Sequence, residues 1–382
     1  MKRFLVVGLL LAIPLVFSAQ AGAAKPQSNK AKVTAHRIAT LALDGSRIAY
    51  ASGGRIYVWN VATGATSVVK GKYSNATHSR DASQVAIAGT RVAWITRQGF
   101  GNTEMSEKLY SASAGGPVHV RKQGYIFGRE DSANAVGGWI AGVVGSGKVL
   151  AVSTWKSDHA TISKGRLSLI TPTKLRSIVT GPGAVMAEAA QGGHIAVLSS
   201  LAAWPADEPS TPTTEPSVRV YSSGGKLLRM IVLSTPVPPP HTCGDCVGYP
   251  STIQNSLALS GNLLVVLTET NPETGPTPWT WTTTLQVYNW TTGALLHTWP
   301  ISFKPWALNV AAPLAAYGRF AAVEGRRLHL VDLTSGEDKV IGPGLGSPAA
   351  LGPKGLVYVA RGHGQHGKLI FVPASQLRGL GG

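Results

Sequence analysis

The chain has 382 residues, with 35 Lys and Arg against 18 Asp and Glu, a formal net charge of +17, and only 14% charged residues. Its 45 Gly and 24 Pro imply many turns, and no stretch reads as a long amphipathic helix. So strong a positive balance favours anionic partners such as wall polymers or phospholipid headgroups, but the basic residues are scattered and no nucleic-acid motif is present, which argues against a nucleic-acid protein.

In chain order, Lys2 and Arg3 precede an apolar run from Phe4 to Phe17, followed by Ala19-Gln20-Ala21 and Ala21-Gly22-Ala23, both of which fit a signal-peptidase site. Residues 1–23 are expected to be a signal peptide. The run is shorter than the roughly 20 residues of a spanning helix, and an uncleaved anchor is the alternative. No Cys follows the run, which argues against a lipid anchor, and no later stretch is long and apolar enough to span. The expected product is secreted or extracytoplasmic, in the periplasm or cell wall, with no transmembrane segment after cleavage.

The rest of the chain repeats one kind of segment, an alternating apolar strand ending in a small-residue turn: IYVWNVATG (56–64), LYSASAGG (109–116), LSLITPT (167–173), VRVYSSGG (218–225), LQVYNWTTG (285–293), LHLVDLTSG (328–336) and LIFVPAS (369–375). Period-two alternation is the pattern of a half-buried strand. Each is preceded by an apolar hairpin turning at Gly45, Gly89, Ser146, Gly193, Gly261, Gly318 or Pro353, and all but the last are followed by a short fourth strand such as Thr66–Lys70 or Leu227–Leu233. The expected architecture is all-β, a seven-bladed β-propeller over residues 38–382 with four-stranded antiparallel blades. The seventh unit lacks a good fourth strand. An N-terminal segment over 24–37, with Lys32–Arg37 as the strand, is expected to supply it and close the ring, removing two exposed sheet edges.

Asp44-Gly45-Ser46-Arg47-Ile48-Ala49-Tyr50 resembles the hairpin of TolB-type propellers, and Val58-Trp59-Asn60 and Leu330-Val331-Asp332 resemble the third-strand ends of WD-repeat and quinoprotein-like blades. The resemblance implies propeller architecture and no particular activity, because propellers host many unrelated functions.

Labelling the strands of a unit A to D, the A–B and C–D turns are short. The B–C connections (Thr96–Lys108, Thr154–Gly165, Ser199–Ser217, Glu269–Thr284, Ala360–Gly367) and the D–A connections (Gly71–Asp81, Lys122–Ala135, Thr235–Thr252) are long. In a meander both kinds lie at the same end, so the long insertions collect on one face, where binding residues concentrate on a rigid scaffold. Trp155, Trp204, Trp279 and Trp281 fall on B–C connections, and Tyr125 and Tyr249 on D–A connections. Flat aromatic faces suit sugar rings or peptide chains, and packing between neighbouring loops is the plainer role. The expected function is a monomeric binding or scaffold protein that engages a protein or glycan of the cell envelope, or an anionic wall polymer, through this face. The alternative is an extracytoplasmic hydrolase, lyase or oxidoreductase with a site at the mouth of the central channel.

Cys243 and Cys246 stand in HTCGDC and are expected to form a disulfide in an oxidising compartment. Metal ligation with His241 would need reduced thiols and a fourth ligand. Gly142–Lys148 mimics a phosphate loop, but Val149 replaces the required hydroxyl residue and the segment reads as a hairpin. Asn289-Trp290-Thr291-Thr292-Gly293 with Trp299 resembles the quinone-dehydrogenase repeat, with Asn in place of its Asp. No cofactor, metal or catalytic residue is therefore assigned. Glu104, Glu107, Glu130 and Asp131 are the connection carboxylates of first interest for the enzyme reading.

Overall fold

The computed structural model describes residues 29–69, 71, 82–100, 104–127, 136–158, 161–181, 184–200, 217–233, 251–271, 282–303, 314–343, 348–361 and 367–377. The strand β1 (Lys30–Thr34) comes first, followed by β2 (Ile38–Asp44), β3 (Arg47–Ser52), β4 (Arg55–Asn60) and β5 (Thr66–Val68). Next are β6 (Ala82–Ala88), β7 (Arg91–Phe100), β8 (Glu104–Ser113), β9 (His119–Phe127), β10 (Val136–Ser146), β11 (Val149–Asp158), β12 (Thr161–Ile170) and β13 (Leu175–Gly181). Then come β14 (Ala184–Gln191), β15 (His194–Ser200), β16 (Ser217–Ser222), β17 (Leu227–Val232), β18 (Ser251–Ser260), β19 (Leu263–Asn271), β20 (Thr282–Asn289) and β21 (Ala294–Ile301). The series ends with β22 (Leu314–Tyr317), β23 (Phe320–Glu324), β24 (Arg327–Asp332), β25 (Asp338–Pro343), β26 (Ala349–Gly352), β27 (Gly355–Arg361), β28 (Gly367–Pro373) and one short helix, α1 (Ala374–Leu377).

These strands build an all-β propeller of antiparallel four-stranded blades. Five sheets are separate blades: β2–β5, β14–β17, β18–β21, β22–β25 and β26–β28 with β1. The other eight strands, β6–β13, form one continuous sheet in chain order, which corrects the expectation of seven separate sheets. The join is a short ladder between β9 and β10, Phe127 opposite Val136 and Tyr125 opposite Gly138. It forms because both strands run past the body of their blades. The first strands touch in a cycle, β2 to β6, β10, β14, β18, β22 and β26 and back to β2, and so surround a common axis.

Blade position accounts for the composition of each strand. Second strands lie between two neighbouring sheets and are buried on both faces, as in β3 (Ile48, Ala49, Tyr50, Ala51) and β23. This is why they read as continuous apolar runs rather than alternating ones. Sheets converge toward the axis, so the inner strands use small residues such as Ala86, Ala88, Ala93, Ala258, Ala321 and Ala322, all buried. Outer strands such as β5 and β17 are mostly exposed. The A–B hairpins turn where the sequence placed them, except that Ser146 is the last residue of β10 and the turn there falls at Gly147-Lys148. Gly45, for instance, adopts a φ of +60° that an L side chain would strain.

β1 pairs with β28 from Lys30 opposite Phe371 to Thr34 opposite Gly367, and makes the fourth strand of that sheet. The strand lies slightly before the Lys32–Arg37 span read from the sequence. Deleting residues 30–34 leaves the β28 edge bare and is expected to lower the thermal midpoint by about 5 °C or more. An unchanged melting curve would show that this strand contributes nothing to the ring.

Candidate functional site

The first strands enclose an axial channel of about 630 Å³, lined by residues such as Leu41, Val85, Val143, Ala189, Leu257 and Leu314. Two of its lining residues are carboxylic acids, Asp44 and Glu188. Asp44 is fully engaged at the A–B end. Its Oδ2 accepts the Gly89 N–H at 2.7 Å and its Oδ1 the Gly147 N–H at 3.0 Å. The second of these donors belongs to the segment that mimicked a phosphate loop, which is a β10–β11 hairpin turn.

Glu188 is different. It projects from β14 over the bulge that interrupts β10 between Ile140 and Gly142. Ser153 on β11, fully buried, donates to its Oε2 at 2.6 Å. Its Oε1 is shut away from solvent without a hydrogen-bond partner among the described residues. Burial pushes the carboxyl up from 4.5 to about 7, against the opposing pull of the Ser153 hydrogen bond and the Arg97 charge. A Cβ on Gly142 would lie 1.8 Å from the Glu188 carboxylate, so glycine is what makes room for it.

The other side of the same bulge is held by an ion pair. Arg97 Nε meets Glu107 Oε1 at 2.7 Å, and Glu107 Oε2 accepts the Ile140 N–H at 2.5 Å. Arg97 Nη2 donates to Ile140 O at 3.1 Å and Ala141 O at 3.3 Å, and Gln84 Oε1 accepts the Val143 N–H at 3.0 Å. As the innermost strand, β10 has backbone groups that a neighbouring strand would otherwise satisfy, and these side chains replace that ladder.

Of the aromatic candidates, Trp155 and Tyr125 are described. Neither sits on a loop, because Thr96–Lys108 and Thr154–Gly165 are largely strand. The β7–β8 ladder continues to Phe100 opposite Glu104, and the β11–β12 ladder to Asp158 opposite Thr161. Residues Lys122–Phe127 are likewise strand, in β9. Trp155 stacks on Trp139 of β10, centroids 5.0 Å apart and planes 13° from parallel, and the Trp139 Nε1 is buried without a partner among the described residues. Trp155 and Ser153 share the β11 face that packs, through Ala151, on Ile195 and Val197 of β15. The Trp pair therefore stands one row beyond the Glu188–Ser153 contact, toward the end where B–C and D–A connections lie. Tyr125 is exposed and pairs with Gly138. Because Gly138 and Trp139 are consecutive, Tyr125 and Trp155 lie on opposite faces of the eight-stranded sheet. A hydrogen bond with Glu104 raises the Tyr125 phenol above its ordinary value.

Trp204, Trp279, Trp281, Tyr249, Cys243, Cys246, Glu130, Asp131 and the residues 1–23 lie outside the described residues. Glu107, a connection carboxylate of first interest, is consumed by Arg97 and Ile140. Both of its oxygens are engaged there, whereas Glu188 is held by Ser153. No cluster of three His, Cys, Asp or Glu able to hold a metal occurs among the described residues. Nor is any described helix long and apolar enough to cross a membrane. In the quinone-like repeat, Trp290 is buried and its Nε1 donates to Gly261 O at 2.8 Å, while Asn289 Oδ1 caps the turn by accepting the Thr291 N–H at 3.0 Å. These residues hold the fold.

No family model matches the chain, and no curated protein matches it. Among solved structures, it is similar to the Dos1 propeller (TM-score 0.44, 10% identity, 91% of this chain and 94% of that one). It is also similar to the β-propeller domain of the Trilobed protease from Pyrococcus furiosus (TM-score 0.42, 11% identity, 85% and 91%). A third is a glucose dehydrogenase (TM-score 0.39, 13% identity, 91% and 100%). With scores below 0.5 these likenesses carry no functional argument, and the propeller rests on the strand order and the cycle of inner strands.

Proposed function

We propose that the chain is an exported seven-bladed propeller that binds a protein or glycan of the cell envelope through the end bearing its B–C and D–A connections. The count of seven takes the eight-stranded sheet as two blades, β6–β9 and β10–β13, bridged by the short β9–β10 ladder, and it agrees with the cycle of first strands. Export rests on the N-terminal sequence pattern.

The observation that carries the binding reading is the Trp139–Trp155 stack, placed toward that end with both residues only partly buried. Aromatic anchors are typical of recognition surfaces. The test is retention on immobilised wall glycan and wall protein, compared between wild type and Trp155→Ala. Retention is expected to weaken about thirtyfold, the loss of a hot-spot residue. The variant should still unfold in one cooperative transition, since Trp155 is only partly buried. Unchanged retention on every surface that holds the wild type would reject the Trp pair as the anchor.

One observation favours the enzyme reading, the neutral-range Glu188 carboxyl beside the channel. Turnover of a wall substrate that disappears in Glu188→Gln, with binding kept, would select it.

A further inference from the structure

A second arrangement lies in the cleft between β6–β9 and β10–β13. Lys122 on β9 pairs with Leu109 of β8, and Leu109 packs against Ile140 and Val152. Lys122 therefore looks across the cleft at the face of β11 and β12 that carries Val152, Thr154, Lys156 and Arg166. Thr154 and Arg166 are directly opposite each other, and Lys156 lies one row further out on the same face. Lys122 is half-buried, whereas Lys156 and Arg166 are exposed.

Deeper in the cleft the other cations have partners. Arg91 donates to Ile170 O at 2.8 Å and Lys148 O at 2.6 Å. Arg121 donates to Ser111 Oγ at 2.6 Å, Thr173 O at 2.9 Å and Pro172 O. Arg97 holds Glu107. For Lys122, Lys156 and Arg166, no described carboxylate or carbonyl accepts a hydrogen bond or forms an ion pair. Burial, then the charges of Arg166 and Lys156, pull the Lys122 ammonium below the ordinary lysine value. Holding like charges face to face is destabilising, and here the strand register imposes it.

The geometry points to an oxyanion site of the phosphate type, with Lys122, Lys156 and Arg166 as its three cationic ligands. Arg166 offers a planar fork of donors, and the two ammonium groups supply charge from either side. The phosphate could be free or carried on a polymer.

The experiment is calorimetric titration at fixed ionic strength, first with inorganic phosphate and then with long-chain polyphosphate. Saturable phosphate binding at one site per chain is expected, weakened about tenfold or more in Lys122→Gln and in Arg166→Gln. Lys354→Gln, at an exposed lysine of the A–B end, should keep it. Polyphosphate binding more tightly than phosphate, and failing with the same two substitutions, would identify a polymer-borne group. Equal or weaker binding would identify free phosphate. No saturable phosphate binding, or an equal loss in Lys354→Gln, would overturn the site, the latter by showing bulk attraction alone. If Lys122→Gln does not fold, the exposed Arg166 carries the test.

Discussion

Arg97→Ala is expected to lose about 3 kcal/mol of stability, the lower end of the range for breaking a buried ion pair. The loss falls mainly on the residue left behind. Glu107 is fully buried, and without Arg97 its carboxylate keeps only the Ile140 N–H. The Ile140 and Ala141 carbonyls lose a donor at the same time. The Arg97 side chain is 36% exposed, so water can enter the vacated space, which is why the lower end applies. Arg97→Met with Glu107→Leu should recover much of the loss, since apolar replacement of both partners removes the desolvation cost along with the attraction. Urea unfolding of the single and double variants measures both effects. A single-variant loss under about 1 kcal/mol would mean that the pair behaves as a surface bridge.

The second large effect is a pH dependence from Glu188. Its folded value is raised to about 7 from 4.5, so between those values the folded chain holds a proton that the unfolded chain has released. Stability must therefore fall as pH rises across that window and level off above it. A shift of this size corresponds to roughly 3 kcal/mol. Glu188→Gln keeps an acceptor for Ser153 and removes the titration. The stability difference between variant and wild type should be near zero at pH 4, grow in favour of the variant through pH 7, and stay constant above. Asp332, held below the usual carboxylate range by the Thr334 and Arg319 contacts despite its burial, contributes with the opposite sign at lower pH. Taking the difference between variant and wild type cancels it. Parallel curves for the two proteins would show that Glu188 titrates normally.

Much of the scaffold was legible because the repeat is written in short-range terms. Alternation in IYVWNVATG and turn glycines such as Gly45 depend on neighbours within a few residues. The tops of the hairpins were not legible, for a physical reason. Residues Arg97, Gln98 and Glu107 look like loop composition, yet β7 and β8 continue through them because the charges neutralise each other across the ladder and serve β10. A sequence window sees the charges without the partner. Glu188 was missed for the opposite reason. In AVMAEAAQ it is one carboxylate in an apolar strand, and its distinction comes from Ser153 and Gly142 on another sheet. Gly142 was noticed as part of a phosphate-loop mimic, when its missing side chain in fact accommodates Glu188.

The pairing of β1 with β28 bears on how the molecule is assembled. Nearly every other strand pairs with its immediate successor, so most contacts are local and each four-stranded unit can form as soon as its own residues are available. Even the nearest partners in the β1 ladder, Thr34 and Gly367, are 333 residues apart. The first strand must therefore wait for the last and search for it at the cost of a very long loop closure. Until then the growing array has an unpaired edge at each end, the interval in which such a chain is most exposed to mispairing with another copy.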